Sequence, residues 1–584
     1  MLDLIYPHLI PFGLSIPAKA LTRRSHKDFS MFSPALRRSL FTVIGLAVAS
    51  TASAGTLTTW SGTGANNNWS TNGNWTTTPT TTGTFSLVYR GTPTRTTSTN
   101  NIGPGAVSVD SILFANTNAT GSTSQFILSR SATSPALSLL NGATVTTTAV
   151  TTGTLTDTIS SSLAFGGTAT FNMGSAHNLT LSGTLSGGGS LVKQGAGDLT
   201  LTNTNDLAAL SIEQGIVQVN ATSFGTSLLR GVNDLVVDLG SSGQTGTLRT
   251  TGVGGPGAPV STNMQVRLNG NGNITPNGTS NITFNAANFN QAVASVTTPV
   301  TLGLIGGAGG SNGTQTINGA IQDNSGSGKV GVQVGTANSQ NAWVFNGINT
   351  YTGDTTVEAG GKLLMNGEVA AGSTTTSYGY LGGSGTFNGA VIVSSGTLSP
   401  GGLSLAGGIV DTLGSLTVGS LSLGGSATTE LTITGSTSDL YEQLIGTSTL
   451  NYGGTLALTL TDNTTSYDTG TVFNLFTGFT STTGNLAGIT LNAAGTDFEG
   501  ITTFYQGTDG DWYTGWDGVN GAVPAGWTSG GQSLKFSQTT GTLTVVPEPS
   551  TIVFAGIGMA MFGWSTWTRR RAKSRRQAIE TAIA

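Results

Sequence analysis

The residues able to support acid–base or metal chemistry are few in this 584-residue chain. It has no cysteine and three histidines, of which one, His177, lies beyond residue 55. A Ser-His-Asp triad would have to use His177, but no nucleophile-elbow motif stands near it. A solvated loop is therefore the expected setting of this side chain. A zinc site needs several His or Cys ligands and is excluded, so neither a metal nor a cofactor is predicted.

Carboxylates are the remaining candidates for catalysis. Between residues 55 and 546 there are 22 acidic and 10 basic residues, and no two acids stand in a recognisable motif. Polysaccharide lyases built on β-helices also need a basic residue to take a proton, and basic residues are scarce here. We therefore expect a non-enzymatic protein. A β-helix enzyme that degrades polysaccharide is the alternative.

Two features near residue 510 could bind a ligand. The Asp509-Gly510-Asp511 stretch offers oxygen ligands for calcium, but it lacks EF-hand spacing, so a tight turn is expected. Trp512, Trp516 and Trp527 could stack on sugar rings, although such aromatic residues more often belong to a core. A carbohydrate-binding adhesin that uses these C-terminal aromatics is a second alternative.

Composition points to an all-β protein. Charged residues make up 8% of the chain, against about 25% in ordinary domains, and glycine contributes 88 residues. Amphipathic helices need charged solvent faces, whereas strands can expose Thr, Ser and Asn instead. Twelve of the 22 basic residues lie before residue 55 or after residue 568. The acidic body between them has no basic stripe, so nucleic acid is not an expected partner.

The body repeats short strands separated by Gly, Asn-Gly or Ser-Gly turns. Residues 191–220 and 343–367 share one order: strand, Asn-containing turn, strand, Glu-x-Gly turn, strand. Residues 193–201 read KQGAGDLTL, and residues 349–355 read NTYTGDT. These segments resemble the autotransporter-associated β-strand repeat, clearest at 187–220 and 343–402. The resemblance implies a right-handed parallel β-helix, a β-solenoid, displayed on a surface.

Two observations give the predicted domain boundaries: this resemblance, and the longer predicted strands with more aromatic residues that begin near Thr428. We expect a β-solenoid over residues 55–427 and a smaller C-terminal β element over 428–546. Trp60, Trp69 and Trp75 are expected to form the N-terminal cap or the first coil, because a solenoid needs closed ends.

The N-terminal region predicts export. From Met31 the chain has two arginines, an apolar run at 40–49 and a small-x-small site at Ala52 and Ala54, with cleavage before Gly55. Residues 31–54 are therefore predicted to be a signal peptide, with a buried strand as the weaker alternative. Residues 1–30 fit no export pattern, and we interpret them as lying upstream of the true translation start.

The C-terminal region, 547–584, has three parts in order. Pro547, Glu548 and Pro549 precede 18 uncharged residues, 551–568, which as a helix would span about 27 Å of the ~30 Å hydrocarbon core. A basic cluster over 569–576 should remain cytoplasmic by the positive-inside rule. Its members are Arg569, Arg570, Arg571, Lys573, Arg575 and Arg576.

This three-part order resembles the PEP-CTERM sorting signal. The resemblance implies processing by an exosortase, a membrane-embedded transpeptidase or protease, and commonly a producer of extracellular polysaccharide. The expected protein is therefore exported through an inner-membrane intermediate to the cell surface or extracellular matrix. There it would associate with polysaccharide or biofilm, with the C-terminal helix in the membrane before processing.

Overall fold

The structure is a computed structural model. It describes residues 55–547, except 118–124, 204, 221–234, 252–259, 278–280, 291–292, 307–312, 340, 404–411, 462–466, 497 and 515–531. Towards the C-terminus it also describes residue 567 and residues 569–571, which have helical backbone. The predicted signal peptide at 31–54 lies outside the described residues.

The described body is made of short strands. The first group is β1 (Thr56–Trp60), β2 (Thr84–Tyr89), β3 (Thr97–Asn100), β4 (Ser108–Phe114), β5 (Ile127–Arg130), β6 (Leu137–Thr147), β7 (Leu155–Ile159), β8 (Leu163–Phe165), β9 (Thr168–Met173), β10 (His177–Leu181), β11 (Leu185–Ser186), β12 (Ser190–Gln194), β13 (Leu199–Leu201), β14 (Ala209–Ile212) and β15 (Gly215–Asn220). The second group is β16 (Val236–Leu239), β17 (Thr245–Thr251), β18 (Val260–Thr262), β19 (Gln265–Leu268), β20 (Asn271–Asn277), β21 (Ile282–Phe284), β22 (Asn288–Asn290), β23 (Val300–Leu304), β24 (Thr314–Ile317), β25 (Ala320–Ile321), β26 (Val330–Val334), β27 (Ala342–Phe345), β28 (Ile348–Asn349), β29 (Thr355–Val357) and β30 (Lys362–Met365). The third group is β31 (Glu368–Val369), β32 (Thr375–Ser377), β33 (Tyr380–Gly383), β34 (Thr386–Pro400), β35 (Ser415–Ile433), β36 (Gln443–Gly446), β37 (Thr449–Tyr452), β38 (Thr455–Leu460), β39 (Val472–Asn474), β40 (Phe476–Thr477), β41 (Ser481–Gly484), β42 (Gly488–Asn492), β43 (Tyr505–Gln506), β44 (Trp512–Tyr513), β45 (Gln532–Ser537) and β46 (Thr542–Pro547).

Parallel pairing between successive coils builds the fold. Strand β34 shows the path of one coil, because its three parts pair with three strands of the preceding coil: β31, β32 and β33. This coil therefore has three sheet faces joined by corners. The prediction of an all-β protein with long parallel sheets, as a β-solenoid requires, is confirmed.

The core is a set of aliphatic columns that run along the stack. One column contains Leu179, Leu199, Val217, Leu248, Ile274, Leu304, Val334 and Val357, each directly paired with the next and each no more than 2% exposed. Stacked coils stand about 4.8 Å apart, so each side chain of the column packs directly against those above and below it. The coil length along this column varies from 18 residues (Leu199 to Val217) to 31 (Val217 to Leu248).

The N-terminal end of the stack is closed by a tryptophan cluster. Trp60, Trp69 and Trp75 are 0–6% exposed, with edge-to-face ring contacts at 5.2 Å. The indole of Trp69 donates to the hydroxyl of Ser98 at 2.7 Å. Backbone bonds from this segment also cover the open edges of β1 and β3, through Thr76 N–H to Thr59 O and Trp69 N–H to Thr99 O. The expected N-terminal cap is confirmed.

The parallel coils continue beyond the predicted boundary at residue 428. Thr428 lies inside β35, whose last six residues pair in parallel with β38, and β38 pairs in parallel with β42. The change to antiparallel pairing comes with the sheet ordered β39, β46, β45, β44, β43. The longer strands that mark the change of sequence character therefore arise within the stack.

Within the part of the chain that the structure describes, no helix has both the length and the apolar character to cross a membrane. Of the predicted span at 551–568, residue 567 alone is described.

Candidate functional site

The predicted processing sites lie at the two limits of the described body. Gly55 precedes β1, and Pro547 ends β46, opposite Gln532 in an exposed position. Ala52, Ala54, Glu548 and Pro549 lie outside the described residues. Pro547 cannot donate a backbone hydrogen bond, so it is a suitable end for a strand of this kind.

Part of the basic cluster is described. Arg569, Arg570 and Arg571 are exposed and helical, and the Arg571 guanidinium lies 4.0 Å from the Trp567 ring centroid. Such a contact four residues along a helix is a cation–π interaction. Lys573, Arg575 and Arg576 lie outside the described residues.

The first of the three candidate sugar-stacking residues is enclosed by protein. Trp512 is 7% exposed, lies in β44 of the antiparallel sheet, and donates its indole N–H to Gln538 Oε1 at 2.6 Å. Its ring faces are therefore covered by the core. Trp516 and Trp527 lie outside the described residues.

His177 is not in a solvated loop, and that expectation is wrong. The side chain is fully buried at the start of β10, with Nε2 2.7 Å from Asp157 Oδ2 and Nδ1 2.7 Å from the carbonyl of Thr148. Asp157 Oδ1 also accepts the Phe126 N–H. Asp157 lies on the preceding coil, 20 residues earlier, so the pair holds adjacent coils together without contacting solvent. A buried polar pair whose atoms all have partners is a structural feature.

The Asp509 stretch forms a tight turn. Asp509 Oδ1 accepts the N–H of Asp511, its Oδ2 accepts the Tyr513 hydroxyl at 2.6 Å, and Gly510 has a φ of +86°. Asp511 pairs with Lys535 at 2.7 Å. The carboxylates thus hold the hairpin in place, as the turn interpretation requires.

The lysine of the first repeat is completely buried. Lys193 Nζ donates to the carbonyls of Gln194, Gly195 and Gln214 at 2.9, 2.7 and 3.1 Å, which uses all three ammonium protons. Burial lowers the pKa of Lys193 to about 8, although the charge of Asp198 opposes that shift. Gly195 has a φ of +74°, and a Cβ there would lie 2.2 Å from the Met173 carbonyl. The Lys-x-Gly pattern therefore marks a corner of the coil whose carbonyls are held by one ammonium group.

The asparagines of the two repeats, Asn205 and Asn349, make equivalent hydrogen bonds between coils. Asn205 Oδ1 accepts the Leu185 N–H, and Asn349 Oδ1 accepts the Ile321 N–H, in each case from the preceding coil. Their amide groups donate to nearby carbonyls, those of Asn203 for Asn205 and of Gly347 and Glu368 for Asn349. Both side chains are almost fully buried. Each supplies hydrogen bonds where a turn interrupts the ladder.

The glutamates of the Glu-x-Gly turns are also equivalent. Glu213 Oε2 accepts a hydrogen bond from Gln194 at 2.8 Å, and Glu358 Oε1 accepts one from Gln333 at 3.0 Å. In both copies the glutamine belongs to the coil before. The alignment of the two segments made from sequence therefore corresponds to equivalent positions in the fold.

An exposed row of asparagines runs across the outer surface. Asn318 Nδ2 donates to Asn285 Oδ1 at 2.7 Å, Asn346 to Asn318 at 2.8 Å, and Asn366 to Asn346 at 3.2 Å. The four residues stand on successive coils, and all are exposed. We call this row the asparagine ladder. Each amide has a second N–H and a second acceptor lone pair beyond those that the ladder uses. The row therefore has hydrogen-bond donors and acceptors left for further polar groups.

A cleft of about 240 Å³ lies where the last coils meet the antiparallel sheet. Tyr452, Phe476, Phe479, Thr482 and Thr540 contribute to its lining. The Tyr452 hydroxyl is buried and has no hydrogen-bond partner among the described residues. Aromatic rings beside hydroxyl groups are suitable for a small polar ligand with apolar faces, such as one sugar ring.

The geometry defines a repeat-built, parallel β protein that carries an exposed row of neutral amides on its outer surface. The passenger-associated-transport-repeat matches residues 191–219 and 341–363, the two segments that contain Lys193 and Asn349. The matched repeats indicate an exported surface protein of the passenger type. No curated protein and no solved structure matches the chain.

The sequence interpretation missed the asparagine ladder, although a signal for it exists. Asn318, Asn346 and Asn366 each precede a glycine, at intervals of 28 and 20 residues. The Asn-Gly pairs predict turns of the backbone. Only the register of the coils shows that these turns lie above one another.

Proposed function

We propose that this chain is an exported, non-enzymatic protein of the cell surface or extracellular matrix, which displays a right-handed parallel β-helix. The observation that carries the proposal is the stack of parallel coils containing two passenger-type repeats. Right-handedness follows from the general preference of parallel crossover connections.

The mode of display would be many weak contacts with extracellular polysaccharide or biofilm. The asparagine ladder supports this because it presents amide groups on four successive coils. A polymer that contacts several coils at once gains avidity even when each contact is weak. The contacting groups are uncharged, so the surface is suitable for neutral, hydroxyl-rich partners.

The proposed route uses the C-terminal PEP-CTERM signal. Pro547, Glu548 and Pro549 would be recognised by an exosortase while the helix at 551–568 holds the chain in the inner membrane. The support is the order of the three parts in the sequence and the position of Pro547 at the end of β46. Removal of the tail would then release the body to the outer layers.

Mass spectrometry of the mature C-terminus, combined with cell fractionation, tests this route. We expect surface or matrix fractions to contain a chain without the tail in a host that has an exosortase. The Glu548→Ala variant should accumulate as an uncleaved form in the inner membrane, whereas Glu499→Ala serves as a matched control outside the signal. An intact tail through Ala584 in the outer fractions would contradict the sorting hypothesis.

A carbohydrate-binding adhesin is a second candidate, favoured by the aromatic cleft near Tyr452. A glycan array would distinguish it from display along the ladder. If the cleft is the site, Phe479→Ala should abolish glycan binding, while Val472→Ala, an exposed position outside the lining, should not. Loss on Trp516→Ala or Trp527→Ala would instead locate the site on the aromatics outside the described residues.

The enzyme alternative is tested by turnover. We expect no depolymerisation of a panel of acidic and neutral polysaccharides by the purified chain. Clear release of shorter products, with loss on substitution of one carboxylate, would overturn the non-enzymatic assignment.

A further inference from the structure

The backbone nitrogen of Gly55 lies 2.5 Å from Asp110 Oδ2, although the two residues are 55 positions apart. Gly55 leads into β1, and Asp110 lies in β4, on the far side of β2. The carboxylate therefore reaches across one strand to the start of the first coil.

A β-bulge directs the Asp110 side chain. The pairing of β4 with β2 steps from Val109 to Ser111, and its pairing with β6 steps at the same place. Asp110 is thus the extra residue of β4 against β2, while on the other edge the four residues 140–143 of β6 stand opposite it without a paired partner in β4. Bulges change the direction of a side chain, and this one directs a carboxylate at Gly55.

The carboxylate has hydrogen-bond donors but no side-chain cation. Ser86 Oγ donates to Asp110 Oδ1 at 2.7 Å, and Ser111 Oγ lies 3.4 Å from the same oxygen. Among the described residues, no ion pair includes Asp110. A positive charge at the Gly55 nitrogen would complete this site.

Glycine is the residue that the site accommodates. A Cβ at position 55 would lie 2.8 Å from Asp110 Oδ2 and 2.9 Å from its carboxyl carbon. Any other residue would move the nitrogen or the carboxylate. The small-x-small export site, in contrast, is set by Ala52 and Ala54, so it does not itself require glycine at position 55.

We propose that Asp110 is the binding site for the α-amino group that is produced when the Ala54–Gly55 bond is cleaved. This inference rests on the signal-peptide cleavage of the proposed function. In that hydrolysis, water gives its hydroxyl to the Ala54 carbonyl carbon and a proton to the Gly55 nitrogen, and the amine then takes a second proton from solvent. The amide contact of the precursor becomes an ammonium–carboxylate pair, since an α-amino group has an ordinary pKa of about 7.7–8.0.

The pair secures the end of the solenoid. β1 has β2 on one edge and the tryptophan cap on the other, so its free end is the place where the stack would begin to fray. An ammonium bound to Asp110 opposes that fraying. It also slows the reaction of the terminal amine with aminopeptidases and with amine-reactive reagents, without preventing it.

The test begins with the full chain expressed in an exporting host, followed by mass spectrometry of its mature N-terminus. Hydrogen exchange of the amides in β1 is then measured for the wild type, Asp110→Asn and Gly55→Ala. Asp354→Asn is the matched control. Asp354 also accepts a backbone N–H from the next coil, that of Thr374, but this donor is an ordinary amide and not a chain terminus.

Both test variants should increase exchange in β1 about tenfold, as expected for loss of one partly exposed charge-assisted hydrogen bond. Asp354→Asn should leave β1 unchanged. Selective carbamylation of the N-terminal amine should increase β1 exchange in the wild type and have no further effect in Asp110→Asn.

The outcomes separate the two hypotheses. A mature chain that begins at Gly55 but shows wild-type exchange in Asp110→Asn overturns the amine site and leaves export intact. A mature chain that begins elsewhere overturns the cleavage assignment, and the amine site with it. If Asp110→Asn fails to fold, Gly55→Ala and the carbamylated wild type decide, because both keep the aspartate.

Discussion

Replacement of Lys193 by methionine tests how the repeats hold adjacent coils together. Methionine keeps the apolar stem of the side chain but removes the ammonium group. The three carbonyls that it binds, of Gln194, Gly195 and Gln214, then lose their donor inside the protein. The Gln214 carbonyl belongs to the next turn of the chain, so the change weakens the contact between coils.

The expected cost is about 3 kcal/mol. Each hydrogen bond from a charged donor contributes about 1.5–3 kcal/mol, but the variant no longer has to bury a cation, which offsets part of the loss. A cost of this size corresponds to an increase of roughly a hundredfold in the local opening equilibrium. Because coils contact mainly their neighbours, the effect should remain near β12 to β15.

Hydrogen exchange followed by mass spectrometry measures this change peptide by peptide. Lys329→Met is the control, since Lys329 is exposed and the same atoms are removed there. We expect fast exchange in peptides from β12 to β15 in the first variant and wild-type exchange in the second. Wild-type exchange in both would refute the structural role of the ammonium group, and equal acceleration as far as the tryptophan cap would refute nearest-neighbour stability.

Three further predictions concern stability and binding. Burial lowers the pKa of Lys193 to about 8, against 10.5 in the unfolded chain, so between pH 8 and 10.5 the folded chain binds fewer protons than the unfolded chain. The free energy of unfolding in urea, measured relative to Lys193→Met, should therefore rise from pH 8 to 10.5. Tyr351→Phe removes the 2.7 Å bond to Thr355 and should cost about 1 kcal/mol, measured by urea denaturation, with Tyr378→Phe as an exposed control. Asn346→Ala interrupts the asparagine ladder and should weaken polysaccharide binding severalfold in a pull-down, without changing the circular dichroism spectrum.

The sequence was sufficient for the fold class and for the equivalence of the two repeats. Short strands punctuated by glycine, with few charges, left little choice other than stacked or sandwiched β structure. The equivalence of Asn205 and Asn349 could be predicted because the order of turns around them is the same. These features depend on residues close together in the chain.

Features that depend on coil register could not be predicted. His177 contacts Asp157, 20 residues away in sequence, whereas Gly55 contacts Asp110, 55 residues away. The separations differ because coils differ in length and because the second contact spans two coils. No fixed spacing marks such pairs. The position of residue 428 has a similar explanation. Strand β35 is long because it continues through three stretches that pair in turn with β36, β37 and β38, and a long strand is not in itself a new domain.

The distribution of ionisable groups bears on how a chain with so few of them could be both stable and suited to the proposed display. Several of its ionisable side chains are inside: His177, Asp157, Lys193 and Glu442 are at most 1% exposed, and each has hydrogen-bond partners that connect parts of the stack. The exposed row on the outside is made of neutral amides. Charges used for internal connection are sheltered from salt, and neutral amides are insensitive to it. We therefore expect the stack to keep its shape, and the asparagine ladder to keep its proposed contacts, when the ionic strength changes.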